Sequence, residues 1–338
     1  MNNAMDLDLL DLLPAEWGSW VLENVIRGAS VADIRRSLET AGFSVAAEAL
    51  SHTTDVQARS VAAALINSYS STRAMLRHAL SIRRLKSPKI LRIPPIPDSF
   101  IKSYYLLGEP VILNMDSGWI NSMEHWTPNY LVEHFGAMPI EVQTDRDSDL
   151  EYELNLDDHR TVMSFADFMS IVLNSESSND VYLCANNKVL DLHIKKLKCE
   201  IPTIPGILPP LPFGDDTVYL WVGPKGTVTP FHFDRINVLL VQIFGEKTIT
   251  LVPPEATPWM NNYRGVHGKT DCTSIISASL QEGIPSVGVK ISPGEAILIP
   301  KGWWHTVRSE SVSISLSFTR FSVENSSLGS PIWPETAN

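Results

Sequence analysis

Apolar residues recur at helical spacing through the first quarter of the chain and then give way to short alternating runs. Trp17, Trp20, Val21, Asn24 and Val25 fall at the spacing of one helix. Ser30-Val31-Ala32-Asp33 has the form of a capping box, opening a helix whose apolar face is Val31, Ile34 and Leu38, with Gly42 placed to end it. A longer helix is expected from about Val56 to Leu85, with Val61, Leu65, Met75, Leu76 and Leu80 near its period and Ser87-Pro88 as its stop. The proline-stiffened run IPPIPDSF, 93–100, reads as a linker. The expected organisation is a helical module over 1–92, a second domain over 93–325 and a tail over 326–338.

Beyond residue 100 the pattern is mixed at first. Val111-Ile112-Leu113 suits a buried strand, Thr127-Pro128 opens a helix running to Phe135, and Ser164 to Leu173 has amphipathic helical spacing. From 217 onward strands dominate: VYLWV, TVTPFHF, NVLLVQIF, KTITLV, VGVKI, EAILI and SISLSF, separated by Gly-Pro, Gly-Glu, Pro-Pro and Pro-Gly turn signals. About eight short strands of this kind predict an antiparallel jelly roll, a cupin-like double-stranded β-helix. The fold class is therefore mainly β with α, preceded by a helical module.

Composition narrows the partners. A chain of 338 residues with 44% hydrophobic and 19% charged residues can bury a sizeable core. The net charge of −11 argues against nucleic acid or an anionic membrane surface as partner. Cys184, Cys199 and Cys272 are too few and too scattered for a disulfide framework or a zinc ribbon, which suits free thiols in a reducing compartment. The start, MNNAMDLDLLDLLPAEW, is acidic where a secretory signal needs a basic region, and no run approaches the ~20 apolar residues of a membrane span. The expectation is a cytoplasmic protein.

Candidate chemistry lies in two runs, TVTPFHFDRINVLLVQIFGEK and IPKGWWHTVRS. His232 and Asp234 are two residues apart, so on a strand their side chains leave one face and can grip one ion together. His305 must come from a distant strand, delivered by the turn at Pro300-Lys301-Gly302. Two imidazoles and a carboxylate form the ligand set of non-haem Fe(II) oxygenases, with open positions for oxygen and a co-substrate.

The stretches DVYLCANN (180–187), 223–254 and 293–318 resemble the JmjC and cupin-like Fe(II)/2-oxoglutarate oxygenases, particularly the protein-hydroxylase branch that includes factor inhibiting hypoxia-inducible factor. The resemblance covers roughly 100–320 and says nothing of the N-terminal helices. It implies that His232, Asp234 and His305 bind Fe(II), and that Lys247 pairs with the far carboxylate of 2-oxoglutarate, a dianion that needs a charge-assisted partner in a semi-enclosed barrel. Thr229 and Tyr182 match residues that help hold the same carboxylate, Asn237 sits where a polar residue lies near the metal, and Ser317 falls close to the co-substrate. The implied reaction consumes O2 and 2-oxoglutarate, releases succinate and CO2, and hydroxylates a side chain of a peptide or protein. A homodimer is compatible with the resemblance.

Other features leave alternatives open. Residues 141–158 hold eight carboxylates against one arginine, and 73–92 hold seven basic residues with no acid; each reads as a solvated face or as a substrate-steering surface. Arg320 could equally reach a substrate carboxylate. Of Trp303 and Trp304, one is expected beside the site and the other in the core. His267, in the insert 252–285, is a loop histidine without a clear ligand role. The rival functions are oxidation of a free amino acid or natural product, N-methyl-lysine demethylation, and non-catalytic binding by a cupin-like protein.

Overall fold

The computed structural model describes residues 13, 15–26, 29–51, 53–85, 89–149, 152–260 and 284–328. Ser87-Pro88, Cys272, His267 and the tail beyond 328 lie outside the described residues, as do the side chains of Val61 and Leu65. The chain forms two compact units that meet in sequence at Ala79 and Leu80.

In the first unit the expected caps are present. Helices run over Ala15–Ile26, Val31–Thr40, Ser44–Ala49 and Asp55–Leu85, the last continuing into the second unit. Ser30 accepts from the Asp33 N–H, satisfying a donor that the first turn leaves open. Val21, Val25, Val31, Ile34, Leu38 and Leu50 close a small core with Trp17, Trp20 and Phe43 packed on it. Met75 is largely exposed, so it does not join the apolar face that its spacing suggested, while Leu80 is buried.

Among the described residues the second unit has twelve strands: β1 Arg92–Ile93, β2 Val111–Asn114, β3 Pro139–Gln143, β4 Arg160–Ser164, β5 Val218–Gly223, β6 Val228–Phe233, β7 Val238–Phe244, β8 Lys247–Val252, β9 Val287–Ile291, β10 Glu295–Ile299, β11 Trp304–Ser309 and β12 Ser313–Phe318. Arg92–Ile93 pairs in parallel with β2, and Pro97–Phe100 forms a short helix that buries Phe100, so much of the proline-rich segment is integral to this unit. Among the described residues eight strands, β5 to β12, follow residue 217, as the alternation predicts. One sheet has the order β1-β2-β10-β7-β12-β5, a second β6-β11-β8-β9, and β3 and β4 form a separate pair. This is the jelly roll expected of the sequence.

Alternation decides which side chains enter the barrel. Ile112, Leu240, Ile297 and Ile299 of the six-stranded sheet meet Ile249, Leu251, Ile291 and Val307 of the four-stranded sheet. Their neighbours Val111, Leu113, Leu239, Val241 and Leu298 face the other way and share a core with Phe165, Phe168, Trp126 and Leu131. Trp126 and Leu131 belong to the layer that includes the helix Pro128–Phe135, capped by Thr127, while Phe165 and Phe168 lie on Phe165–Asn174, capped by Ser164. Among the described residues no helix is long and apolar enough to cross a membrane.

Candidate functional site

The β6–β11 ladder places His305 directly opposite His232, and their ring centroids are 4.1 Å apart. Asp234 lies one residue past the end of β6, with Oδ2 3.6 Å from His305 Nε2. One ligand atom from each of His232, Asp234 and His305 lies within 4.8 Å of the others. His232 and Asp234, paired by their spacing, and the distant His305 are thus one cluster in space.

Backbone carbonyls set the tautomer of both rings. His232 Nδ1 is 2.8 Å from the Pro230 carbonyl oxygen and His305 Nδ1 is 3.0 Å from that of Trp303. A carbonyl oxygen only accepts, so each Nδ1 carries the proton and each Nε2 presents its lone pair. Burial, reinforced by the neighbouring His232, pushes the His305 imidazole down to about 4, which keeps it neutral at ordinary pH. Two imidazoles and a carboxylate are a donor set that fits a divalent transition metal.

Lys247 opens β8 immediately after the turn at Gly245-Glu246, and its side chain is almost wholly buried. Desolvation pushes its amine down to about 7. Its Nζ donates to the Tyr182 hydroxyl at 3.3 Å and lies 5.9 Å from the centre of the Trp221 ring. Tyr182 in turn shares a hydrogen bond with Thr229, and burial drives its phenol upward. Among the described residues no carboxylate pairs with Lys247. A buried ammonium in this state fits an anionic ligand.

The triad, Lys247, Tyr182, Thr229 and Ser317 all line one cavity of about 330 Å³. Ser317 also accepts from the Trp221 indole N–H at 2.8 Å. Asn237 is not brought to this cavity: its Oδ1 accepts from the Lys301 N–H, and the valine that follows it, Val238, lines the wall instead. Trp303 and Trp304 are both buried, and neither lines the cavity. Trp303 packs between the sheets, and Trp304 donates to Thr257.

Sequence reasoning missed Trp221, Tyr219 and Glu153 as lining residues. The strand alternation of VYLWV places Tyr219 and Trp221 on one face and could have found them. Glu153 comes from the acidic stretch 141–158, which is not simply a solvated run. Arg146 within it is buried, bonds to Glu153 at 3.1 Å and to the carbonyl of Val228, and stands 5.1 Å from the centre of the Tyr182 ring.

A model of the cupin-like domain matches residues 97–319. The chain is 28% identical over 243 residues to Jumonji C domain-containing protein 5 of Drosophila melanogaster, covering 66% of this chain and 57% of that protein. It is also 28% identical over 243 residues to lysine-specific demethylase JMJ30 of Arabidopsis thaliana, covering 65% and 52%. Against lysine-specific demethylase 8 of Xenopus tropicalis it is 27% identical over 239 residues, covering 66% and 51%. The chain thus spans about half the length of these curated relatives. Its paired histidines, adjoining carboxylate and buried lysine stand inside the matched region, and the chain belongs to the cupin-like domain family, among its JmjC members.

Proposed function

We propose that this chain is an Fe(II)- and 2-oxoglutarate-dependent dioxygenase that hydroxylates a side chain of a peptide or protein. The observation that carries the reading is the buried Lys247 ammonium, without a carboxylate partner among the described residues, on the wall of the cavity that holds the triad. A cupin that only bound a metal would have no use for so costly a charge.

His232, Asp234 and His305 would hold the iron, and Lys247 with Tyr182 and Thr229 would hold the far carboxylate of 2-oxoglutarate. When bound, the metal, the co-substrate and oxygen together supply the oxidising chemistry, with release of succinate and CO2. Leu240, Ile299, Val238 and Val307 give the cavity apolar walls that exclude water from the reaction. Glu153 in a turn, and Leu156 and Asn186 on short 3-10 helices, line the cavity from outside the two barrel sheets and would meet a substrate.

Demethylation is the second reading, because two of the relatives named above are called lysine-specific demethylase and Glu153, paired with Arg146 through Oε1, brings a carboxylate to the cavity wall. The test is incubation of the Fe(II)-loaded full chain with 2-oxoglutarate and a peptide library, followed by mass spectrometry. Succinate with one oxygen retained on a peptide supports hydroxylation, and loss of a methyl group with formaldehyde release supports demethylation. Failure to form succinate with any peptide or in the uncoupled reaction would contradict both.

A further inference from the structure

The ladder that opposes His232 and His305 ends at the pair Phe233 and Trp304, so Asp234 lies beyond its support. What fixes the Asp234 backbone is the Gly302 N–H, which donates to the Asp234 carbonyl at 2.8 Å. Gly302 sits at φ 82°, a left-handed conformation that glycine adopts freely. Beside it the Lys301 N–H donates to Asn237 Oδ1 at 2.9 Å. Asn237 therefore joins the turn that carries Asp234 to the turn that precedes His305.

Tyr105 shares a hydrogen bond with the Asn237 side chain, and the Asn237 backbone is held by Asn325. Its N–H donates to Asn325 Oδ1 at 3.0 Å, and its carbonyl accepts from Asn325 Nδ2 at 2.9 Å. The same Nδ2 donates to the Thr319 carbonyl at 2.8 Å. Such a reciprocal pair does for Asn237 what a neighbouring strand would do. Residues 319–328 form a strap after the last barrel strand, anchored by Phe321 against Phe100 and Tyr105 and by the Tyr105 hydroxyl on the Glu324 carbonyl. Leu328 N–H closes it onto the Arg235 carbonyl at 2.7 Å.

We propose that Asn325 is a positioning residue for the metal centre: through Asn237 and the 300–302 turn it fixes the Asp234 carboxylate against the histidine pair. The inference rests on the reading that His232, Asp234 and His305 hold a metal. Two of the three ligands have the ladder, and the third has the strap.

The test is a Co(II) titration of the full-length chain, read by visible absorption, together with the unfolding midpoint of the metal-free protein. Asn325→Ala is expected to weaken Co(II) binding about 10- to 100-fold and to alter the absorption bands, as loss of a supporting outer partner does. Asn325→Ser replaces the amide with one short hydroxyl that can donate or accept but cannot make all three bonds; it is expected to fall between, and it carries the test should the alanine variant not fold. A folded variant with the wild-type dissociation constant and spectrum overturns the proposal, even if its unfolding midpoint falls, because that outcome marks a purely structural role. His232→Ala separates the two levels. If it, too, binds Co(II) as the wild type does, the metal-centre reading fails and takes this inference with it; if it loses binding while both Asn325 variants keep it, only the inference fails.

Discussion

Lys247 Nζ lies 3.3 Å from the Tyr182 hydroxyl, and no carboxylate among the described residues accompanies it. A cation in a barrel interior with only a phenol oxygen and two ring faces for company opposes folding. Lys247→Met, similar in length and uncharged, is expected to raise the stability of the ligand-free protein by about 1–3 kcal/mol. Urea unfolding with a chelator present checks this. An equal or lower midpoint would mean that the lysine is already balanced without a ligand.

The same burial gives a pH dependence. Burial pushes the folded amine down to about 7 from the ordinary lysine value of 10.5, so between these values the unfolded chain binds more protons and ligand-free stability rises with pH. Below about 7 the stability contribution is at its minimum. A dianion needs the charged amine, so above about pH 7 its binding takes up a proton and weakens by up to about tenfold per pH unit. Calorimetric titration in two buffers of different ionisation enthalpy measures that proton; buffer-independent heats above pH 7 would rule it out.

Histidine replacements should separate by burial. His305 is buried within the ladder, whereas His232 is only partly covered. Both alanine variants are expected to lose metal binding, but His305→Ala should also cost about 2 kcal/mol of metal-free stability, against less than about 1 kcal/mol for His232→Ala. Paired metal titrations and unfolding curves on each variant check the ordering.

Gly245 sits at φ 71°, and an added Cβ would collide with the Val312 carbonyl oxygen. That carbonyl is backbone and cannot swing aside. Gly245→Ala is therefore expected to cost more than about 2 kcal/mol and to displace Lys247, two residues on. Its unfolding midpoint, compared with that of Gly288→Ala, which meets nothing within 4 Å, isolates the steric effect from any general loss of glycine.

Much of this site is written in short-range pattern. The two-residue spacing of His232 and Asp234, the turn before His305 and the strand that begins at Lys247 are local signals, and the period-2 alternation puts each on the inner face. Asn237 was not legible in the same way. Its side-chain oxygen accepts from the Lys301 N–H and its backbone pairs with the Asn325 side chain, both far along the chain, and no spacing announces either pairing. The pair β3 and β4 was also hidden, since β4, Arg160–Ser164, buries no residue fully and so shows no inward-facing apolar alternation, and Arg146 reads as one cation in an acidic run although it is a buried hub for Glu153, Asn179 and Val228. Met75 shows the converse, a helical spacing with nothing packed over it.

The most direct measurement is equilibrium binding of 2-oxoglutarate to the anaerobic, Fe(II)-loaded full chain. Saturable binding of one molecule per chain is expected, weakened by at least about 100-fold in Lys247→Met and abolished in His232→Ala. Undetectable binding to the wild type, or undiminished binding to Lys247→Met, would contradict that expectation.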